Sequence, residues 1–163
     1  MAIGAEVTLV STDGERRIPV GELFHDDGIR YLTKRPQEIL SEIHLPSPDA
    51  GGRRTRAVYR KLRRRDSFDF PVLGVAAAAR FAADGTVESA RVVITGTGSR
   101  PHAAPADKLI GITIDDNVIR EFAAAASRVA KPLDNTDFVH GWRKEMAKRL
   151  IADALRELRP PTG

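Results

Sequence analysis

The stretch Tyr59-Arg-Lys-Leu-Arg-Arg-Arg-Asp-Ser-Phe-Asp-Phe-Pro71 lies near the middle of the chain and sets its organisation. The segment from Arg53 to Arg65 carries eight basic residues among thirteen and no acidic one. The apolar run Val72 to Phe81 follows directly after the proline. This order predicts a basic strand, a short polar turn and a buried strand.

The basic run has more than one explanation. Charges at this density raise the free energy of the folded state unless an anionic partner binds them or solvent screens them. A solvated edge strand is one explanation, because basic side chains block edge-to-edge pairing. A module that binds RNA or DNA through Arg53 to Arg65 is another. Only Tyr59 and Phe68 could then stack on the bases of a single strand, which argues against nucleic acid as a partner.

Length and composition bound the class of protein. A chain of 163 residues can bury a core as one domain or two small ones. The net charge of +4 is modest, so the basicity is local. The chain has no cysteine, which excludes disulfides, iron–sulfur ligation and thiolate nucleophiles within it. Neither a signal peptide nor an apolar stretch long enough to span a bilayer is visible. We therefore expect a cytoplasmic protein without a membrane partner.

The first third of the chain predicts strands. Ala5 to Val10 alternates, Thr12 to Gly14 is typical of a turn, and Arg16 to Val20 can pair back as a hairpin with Pro19 at an edge. Gly21 to Phe24 suggests one helical turn. A further strand is predicted from Glu38 to Leu45. The composition of Ser47 to Gly52 indicates a linker, and we place a domain boundary there.

The second part predicts three antiparallel strands followed by helices, an α+β plan. The strands are Arg56 to Arg64, Val72 to Ala82 and Val87 to Thr95, with a hairpin turn at Asp84-Gly85. A short helix is predicted from Pro105 to Ile110, with Gly111 as its stop. Asp115 can cap a helix from Asp116 to Ala130. Thr136 or Asp137 is predicted to cap the last helix, with one apolar stripe made of Trp142, Met146, Leu150, Ala154 and Leu158.

No catalytic constellation is recognisable. The four histidines, His25, His44, His102 and His140, share no ligand spacing, so no metal site is predicted. No Gly-x-Ser-x-Gly pattern occurs. The loop Thr95 to Ser99 lacks the Lys-Ser/Thr pair of a phosphate-binding loop and the third glycine of a dinucleotide fingerprint. We interpret it as a turn whose glycines let backbones pack closely.

Several motifs in order carry a resemblance to a known family. They are Tyr59-Arg-Lys61, Phe68-Asp-Phe-Pro71, Gly74-Val-Ala76, Lys131-Pro-Leu-Asp-Asn-Thr-Asp137 and Gly141-Trp-Arg-Lys144. Together they resemble the flavoprotein subunit of molybdenum hydroxylases, which include xanthine dehydrogenase and carbon monoxide dehydrogenase. The pattern looks most like the beta subunit of 4-hydroxybenzoyl-CoA reductase. The match runs from about Ala2 to Leu158.

The resemblance implies a domain organisation. Residues 1–46 would be the C-terminal remnant of an FAD-binding domain, a partial α/β segment. Residues 47–52 would link it to the family's C-terminal domain at residues 53–159. The three-stranded antiparallel sheet of that domain would pack against C-terminal helices. The chain would help to hold FAD for electron transfer with the iron–sulfur centres of a partner subunit, and would be inactive alone.

The resemblance also suggests which residues face the cofactor. Leu40 matches a residue that packs on the flavin nucleotide, and Lys61 matches a lysine that reaches the cofactor. Asp69 and Phe70 match the loop that covers the isoalloxazine. Structural roles remain alternatives: Leu40 as plain core and Phe70 as a staple at the strand start. The family's two glycine-rich pyrophosphate loops are absent from this sequence, so the isolated chain is expected to bind no FAD.

The implied partners are a molybdopterin-binding large subunit, an iron–sulfur small subunit and the missing portion of the flavin domain. Without that portion, the underside of residues 2–46 should be apolar and sticky. We therefore expect a homodimer when the chain is isolated. A non-catalytic assembly domain is a further alternative.

Overall fold

The computed structural model describes residues 1–48, 54–65, 69–133 and 138–160. Its strands are β1 Glu6–Ser11, β2 Gly14–Pro19, β3 Ile39–His44, β4 Arg56–Leu62, β5 Leu73–Phe81, β6 Val87–Thr95 and β7 His102–Ala103. Its helices are α1 Asp116–Ala126 and α2 His140–Leu158. The strands form two antiparallel sheets, with the orders β2-β1-β3 and β4-β5-β6-β7. The predicted α+β fold is confirmed.

The first sheet is built on a tight hairpin. Ser11 pairs with Gly14, so Thr12 and Asp13 form the turn. Gly14 has φ +128°, which favours glycine. The predicted helical turn is a 3-10 turn at Val20–Leu23. The resemblance implied a partial α/β segment here; the described residues 1–48 contain this sheet and the 3-10 turn, and no α-helix among them.

The second sheet contains the three predicted strands and a short fourth. At the β5–β6 turn, the carboxylate of Asp84 accepts hydrogen bonds from the Thr86 amide (3.0 Å) and hydroxyl (2.7 Å), and Gly85 has φ +84°. This confirms the Asp84-Gly85 hairpin. The added strand β7 has two residues and pairs with β6. Two residues cannot show a strand period, which explains why the sequence pattern missed it.

The core lies between this sheet and the two helices. Leu73, Val75 and Ala77 alternate along β5 and are fully buried on the face that α2 covers. From α2, Ile151 and Leu155 meet them and are equally buried. The alanines of β5 therefore form a strand under the helices, as predicted.

Helix α1 begins as predicted and ends earlier. The side chain of Asp115 accepts a hydrogen bond from the Val118 amide at 2.8 Å, which confirms the cap. The helix ends at Ala126, and Ser127–Val129 form a 3-10 turn instead of continuing to Ala130. The Ser127 hydroxyl donates to the Ala124 carbonyl at 3.1 Å, and such bonds compete with the helical ladder.

The apolar stripe predicted for α2 is wrong at its first residue, Trp142, while Met146 and Leu150 pack against the core and Ala154 and Leu158 are buried. Trp142 is 39% exposed, whereas the buried row on this helix is Arg143, Ala147, Ile151, Ala154, Leu155 and Leu158. Each four-residue step turns the helix about 40° past a full turn, so a row from Trp142 to Leu158 drifts by about 160°. Trp142 instead stacks on Phe138, with ring centroids 4.7 Å apart.

The start of α2 also differs from the prediction. The helix begins at His140, and its N-cap, Val139, makes no side-chain capping bond. The predicted caps Thr136 and Asp137 lie outside the described residues, as does most of the linker segment 47–52.

Candidate functional site

The turn between β4 and β5 is organised by Asp69. Its carboxylate accepts hydrogen bonds from the backbone amides of Arg64 (3.1 Å), Arg65 (3.0 Å) and Phe70 (2.9 Å). The amide of Arg65 is the main cause that holds the pKa of Asp69 below its usual value. The carboxylate is thus ionised at neutral pH and fixes the backbone on both sides of the turn.

Lys61 is fixed at the same turn. Its Nζ atom donates to the main-chain carbonyl of Asp69 at 2.6 Å. Phe70 follows directly, and its side chain is 88% exposed. Phe70 therefore does not staple the start of β5. The structure brings together three of the four residues named from the resemblance, and leaves an ammonium and an aromatic ring at one surface.

Leu40 lies elsewhere, on β3 of the first sheet. It stands opposite Leu9 in the ladder and is 38% exposed, so it is not plain core. Glu38 anchors the strand start: its carboxylate accepts from the Arg16 guanidinium (2.7 Å) and the Arg35 amide (2.7 Å). The bond from Arg16 is the main cause that lowers the pKa of Glu38 to about 2.

The face of the second sheet that points away from the helices carries Tyr59, Lys61, Gly74 and Ala76 side by side. In the β4–β5 ladder, Lys61 stands opposite Gly74 and Tyr59 opposite Ala76. A Cβ atom on Gly74 would lie 2.9 Å from the Tyr59 hydroxyl oxygen and 2.5 Å from Oγ1 of Thr95. The ring of Tyr59 therefore extends across Gly74 towards β6. We missed this arrangement, although a glycine inside a strand is a signal for close approach.

The glycine-rich loop after β6 packs closely, as predicted. Gly96 has φ +76°, and a Cβ there would lie 3.1 Å from the Val72 carbonyl oxygen. A Cβ on Gly98 would lie 2.6 Å from Nε2 of His102. The loop borders a cleft of about 640 Å³ that is also lined by Tyr31, Pro71 and Lys131. Among the described residues, the buried Oγ1 of Thr97 and Nε2 of His102 have no hydrogen-bond partner.

Arg143 connects this loop to the start of β5. Its side chain is buried, and its guanidinium donates to the carbonyls of Leu133 (2.8 Å), Val72 (3.1 Å) and Gly96. Three carbonyls from separate segments therefore depend on one side chain. The resemblance drew attention to the Gly141-Trp-Arg-Lys144 motif, but no local pattern indicated this role.

Part of the basic run has internal partners. Arg56 donates to the Leu158 carbonyl at 2.7 Å. A positive charge at this position stabilises the C-terminal end of α2. Arg60 forms an ion pair with Glu157. Arg63 to Arg65 remain at the surface, and Arg53 lies outside the described residues. Arg56 and Arg60 thus have partners within the chain, and their positions do not require a nucleic-acid ligand.

The described residues contain neither a candidate metal site nor a helix that could cross a membrane. Across the ranges from residue 1 to 160 that the structure covers, no group of three or more histidines and carboxylates could hold a metal ion. No helix in those ranges combines the length and apolar character needed to cross a membrane.

The chain is similar to a known protein family and to a known enzyme subunit. Residues 57–158 match the model of the CO dehydrogenase flavoprotein C-terminal domain. The chain is 30% identical over 169 aligned positions to the 6-hydroxypseudooxynicotine dehydrogenase complex subunit alpha of Paenarthrobacter nicotinovorans, and the match covers 98% of this chain and 54% of the relative.

Solved structures share the fold. Carbon monoxide dehydrogenase from Hydrogenophaga pseudoflava superposes with a TM-score of 0.85 at 24% identity, covering 96% of this chain and 53% of that one. Quinoline 2-oxidoreductase from Pseudomonas putida 86 gives 0.81 at 20% identity, covering 96% and 52%. The chain spans about half the length of the relatives that it matches.

Proposed function

The chain belongs to the family of CO dehydrogenase flavoprotein C-terminal domains, and we propose that it forms the flavin-facing part of the medium subunit of a molybdenum hydroxylase. In that role it helps to hold FAD for electron transfer with iron–sulfur centres of a partner subunit. The observation that supports this best is the β4–β5 turn, where the Lys61–Asp69 hydrogen bond fixes an ammonium beside the exposed Phe70.

The residues present fit a flavin in part. The ring of Tyr59 lies across Gly74 and is 57% exposed, so it offers a flat surface beside Lys61 on which a planar ring can stack. Phe70 offers an exposed ring for stacking. Bound FAD would supply the one- and two-electron chemistry. The contribution of this chain is to cover the ring, exclude water from it and place a positive charge nearby.

The residues described for this site do not offer free backbone amides for the pyrophosphate of FAD. The three backbone amides around Asp69 bond its own carboxylate and are not available for a pyrophosphate. Neither of the family's glycine-rich loops occurs in this sequence. We therefore propose that FAD binds in the intact complex, and that the chain alone binds none and is inactive.

The finer assignment follows the resemblance. We propose a 4-hydroxybenzoyl-CoA reductase-like or xanthine or carbon monoxide dehydrogenase-like oxidoreductase in the cytoplasm. Its partners would be a molybdopterin-binding large subunit, an iron–sulfur small subunit and the polypeptide that carries the rest of the flavin domain. Leu40 would pack on the flavin nucleotide from the first sheet. In the absence of these partners, the chain would form a homodimer.

Complementation tests this function. The chain is mixed with a polypeptide that carries the two glycine-rich loops of a medium subunit, and FAD is titrated by fluorescence quenching. Stoichiometric binding is expected, and Lys61→Ala or Phe70→Ala should weaken it by roughly fivefold to tenfold, since each removes about 1 kcal/mol of contact. Lys144→Ala, an exposed site on α2, is the matched control. Equal FAD affinity in all variants would contradict the proposed site.

A further inference from the structure

A cleft of about 390 Å³ lies against the face of the second sheet that points away from the helices. In the β5–β6 ladder, Arg80 stands opposite Ser89, and Arg91 stands opposite Ala78. Because side chains alternate between the two faces of a strand, Arg80, Ser89 and Arg91 all emerge on this face. All three line the cleft, whose other wall is formed by residues 2–4 and 46–47.

The cleft is separate from the β4–β5 turn. Arg80 lies six residues after Gly74 on β5, which is about 20 Å along the strand. Neither Lys61 nor Phe70 lines the cleft. The two arginines therefore belong to a different part of the sheet from the residues assigned to the flavin.

The charge of the cleft is positive. Arg80 and Arg91 are diagonal neighbours on adjacent strands, and like charges that face each other across a ladder destabilise a sheet. Among the described residues that line the cleft, none is an aspartate or a glutamate. An anion bound between the two guanidinium groups would remove this repulsion, because it lies close to both charges.

The donors around the cleft suit an anion with several oxygens. The hydroxyl groups of Ser47, Thr55 and Ser89 line it together with the two arginines. Nε of Arg80 donates to the Ser89 hydroxyl at 3.3 Å, which orients this guanidinium along the sheet. A guanidinium binds two oxygens of a phosphate or carboxylate at once, and hydroxyl groups can donate to the oxygens that remain. Five side chains with donors exceed what the two oxygens of a carboxylate can accept in bidentate pairs, so a phosphate group fits better.

A glycine gives Arg91 its place in the cleft. Gly4 has φ +79°, and a Cβ atom there would lie 2.7 Å from Nη1 of Arg91. Glycine thus lets the guanidinium lie directly against the backbone at residue 4. Arg91 is nevertheless exposed, so an ion can reach it from solvent.

We propose that this cleft binds a phosphate group between Arg80 and Arg91, either as the free ion or as the terminal phosphate of a larger ligand. The charge of a phosphate monoester at neutral pH, about −1.5 to −2, matches the two guanidinium charges. The site is additional to the proposed flavin site and does not depend on it.

Titration of the full chain with inorganic phosphate at constant ionic strength, followed by amide NMR shifts, tests the site. Saturable shifts centred on residues 80 and 89–91 are expected, with a dissociation constant of about 1 mM or lower. Arg91→Gln should raise this constant at least about tenfold, and Arg91→Lys should do so less, because it keeps the charge but loses the fork. Arg128→Gln, at an exposed arginine after α1, is the matched control and should change the constant by less than about twofold.

A second titration with adenosine monophosphate distinguishes the two sources of the phosphate. Tighter binding than that of inorganic phosphate would indicate a larger ligand, and weaker binding would indicate the free ion; both agree with the proposal. Equal shifts with acetate or chloride, or a phosphate affinity that Arg91→Gln leaves unchanged, would overturn it. Loss of the phosphate shifts when a polypeptide with the rest of a flavin domain is added would show that this polypeptide fills the cleft, and would also overturn it. The titrations contain no FAD, so their failure leaves the proposed function untouched.

Discussion

Arg143, in the first turn of α2, donates from its guanidinium to the main-chain carbonyl of Val72 at 3.1 Å. Val72 directly precedes β5 and follows the turn that carries Asp69 and Phe70. The buried side chain of Arg143 therefore fixes the backbone at the end of this turn. The same guanidinium also donates to the carbonyl of Gly96 in the glycine-rich loop. Stability and the geometry of the turn should depend on this one residue.

Arg143→Met should lower the free energy of unfolding by about 3 kcal/mol, because it removes the three hydrogen bonds that the buried guanidinium donates. Urea denaturation at neutral pH measures the loss. Arg149→Met, on the same helix with a side chain that is 67% exposed, is the control and should change stability by less than about 0.5 kcal/mol. Equal effects of the two substitutions would mean that the three bonds of Arg143 are not important for stability.

Asp69 should make the β4–β5 turn sensitive to acid. Its folded pKa is lowered from the ordinary 3.8, so the stabilisation is present above that value and is lost as the pH falls through the lower folded pKa. Hydrogen exchange of the Arg64 and Arg65 amides should therefore speed up below about pH 4, beyond its intrinsic pH dependence. Asp69→Asn should show the fast exchange at neutral pH already. Unchanged protection in Asp69→Asn would contradict the role of the carboxylate.

Glu38 should stabilise the start of β3 in a pH-dependent way. Its pKa is lowered from 4.5 to about 2, so the stabilisation is complete above pH 4.5 and disappears as the pH falls towards 2. Glu38→Gln should lower the urea midpoint at pH 7 and have little effect at pH 2. Glu15→Gln on the exposed β2 serves as the control. A Glu38→Gln deficit that is equally large at both pH values would count against the ion pair with Arg16.

Gly74→Ala should destabilise the chain by about 1–3 kcal/mol, because the added methyl group would crowd the side chains that β4 and β6 place over Gly74. Its Cβ would lie 2.5 Å from Thr95 Oγ1 and 2.9 Å from the Tyr59 hydroxyl oxygen. Thermal unfolding gives the difference. Gly28→Ala, where nothing lies within 4 Å of the added atom, should be nearly neutral. Adding Tyr59→Phe should recover part of the loss, and no recovery would mean that the phenol does not lie across Gly74.

The purified chain should be colourless, and titrated FAD should show no fluorescence quenching at micromolar concentration. Binding at that level requires about 8 kcal/mol, whereas stacking on Phe70 contributes about 1 kcal/mol. The ammonium of Lys61 and the arginines of the turn are screened by water and salt, and add little. A yellow protein with stoichiometric flavin would show that the chain is a complete flavoprotein without the glycine-rich loops.

Local features were predictable because they depend on neighbours in sequence. The alternation along β1, the apolar run of β5, the Asp84-Gly85 turn and the Asp115 cap each follow from a few adjacent residues, and the structure has them where the sequence indicated. The closeness of Lys61, Asp69 and Phe70 is of the same kind, since one short turn joins them. Motifs in the right order also identified the family that the comparisons confirm.

Other features depended on contacts between distant parts of the chain. Arg143 bonds Val72 across 71 residues, and no spacing rule connects the two. The buried side of α2 was decided by where β5 lies beneath it, so a row of residues four apart mistook Trp142 for core. The place of Leu40, in a different sheet from the strands that flank the turn, is defined only once the strands are ordered into sheets. Short-range chemistry thus determined the elements, and packing between them determined which side chains share a surface.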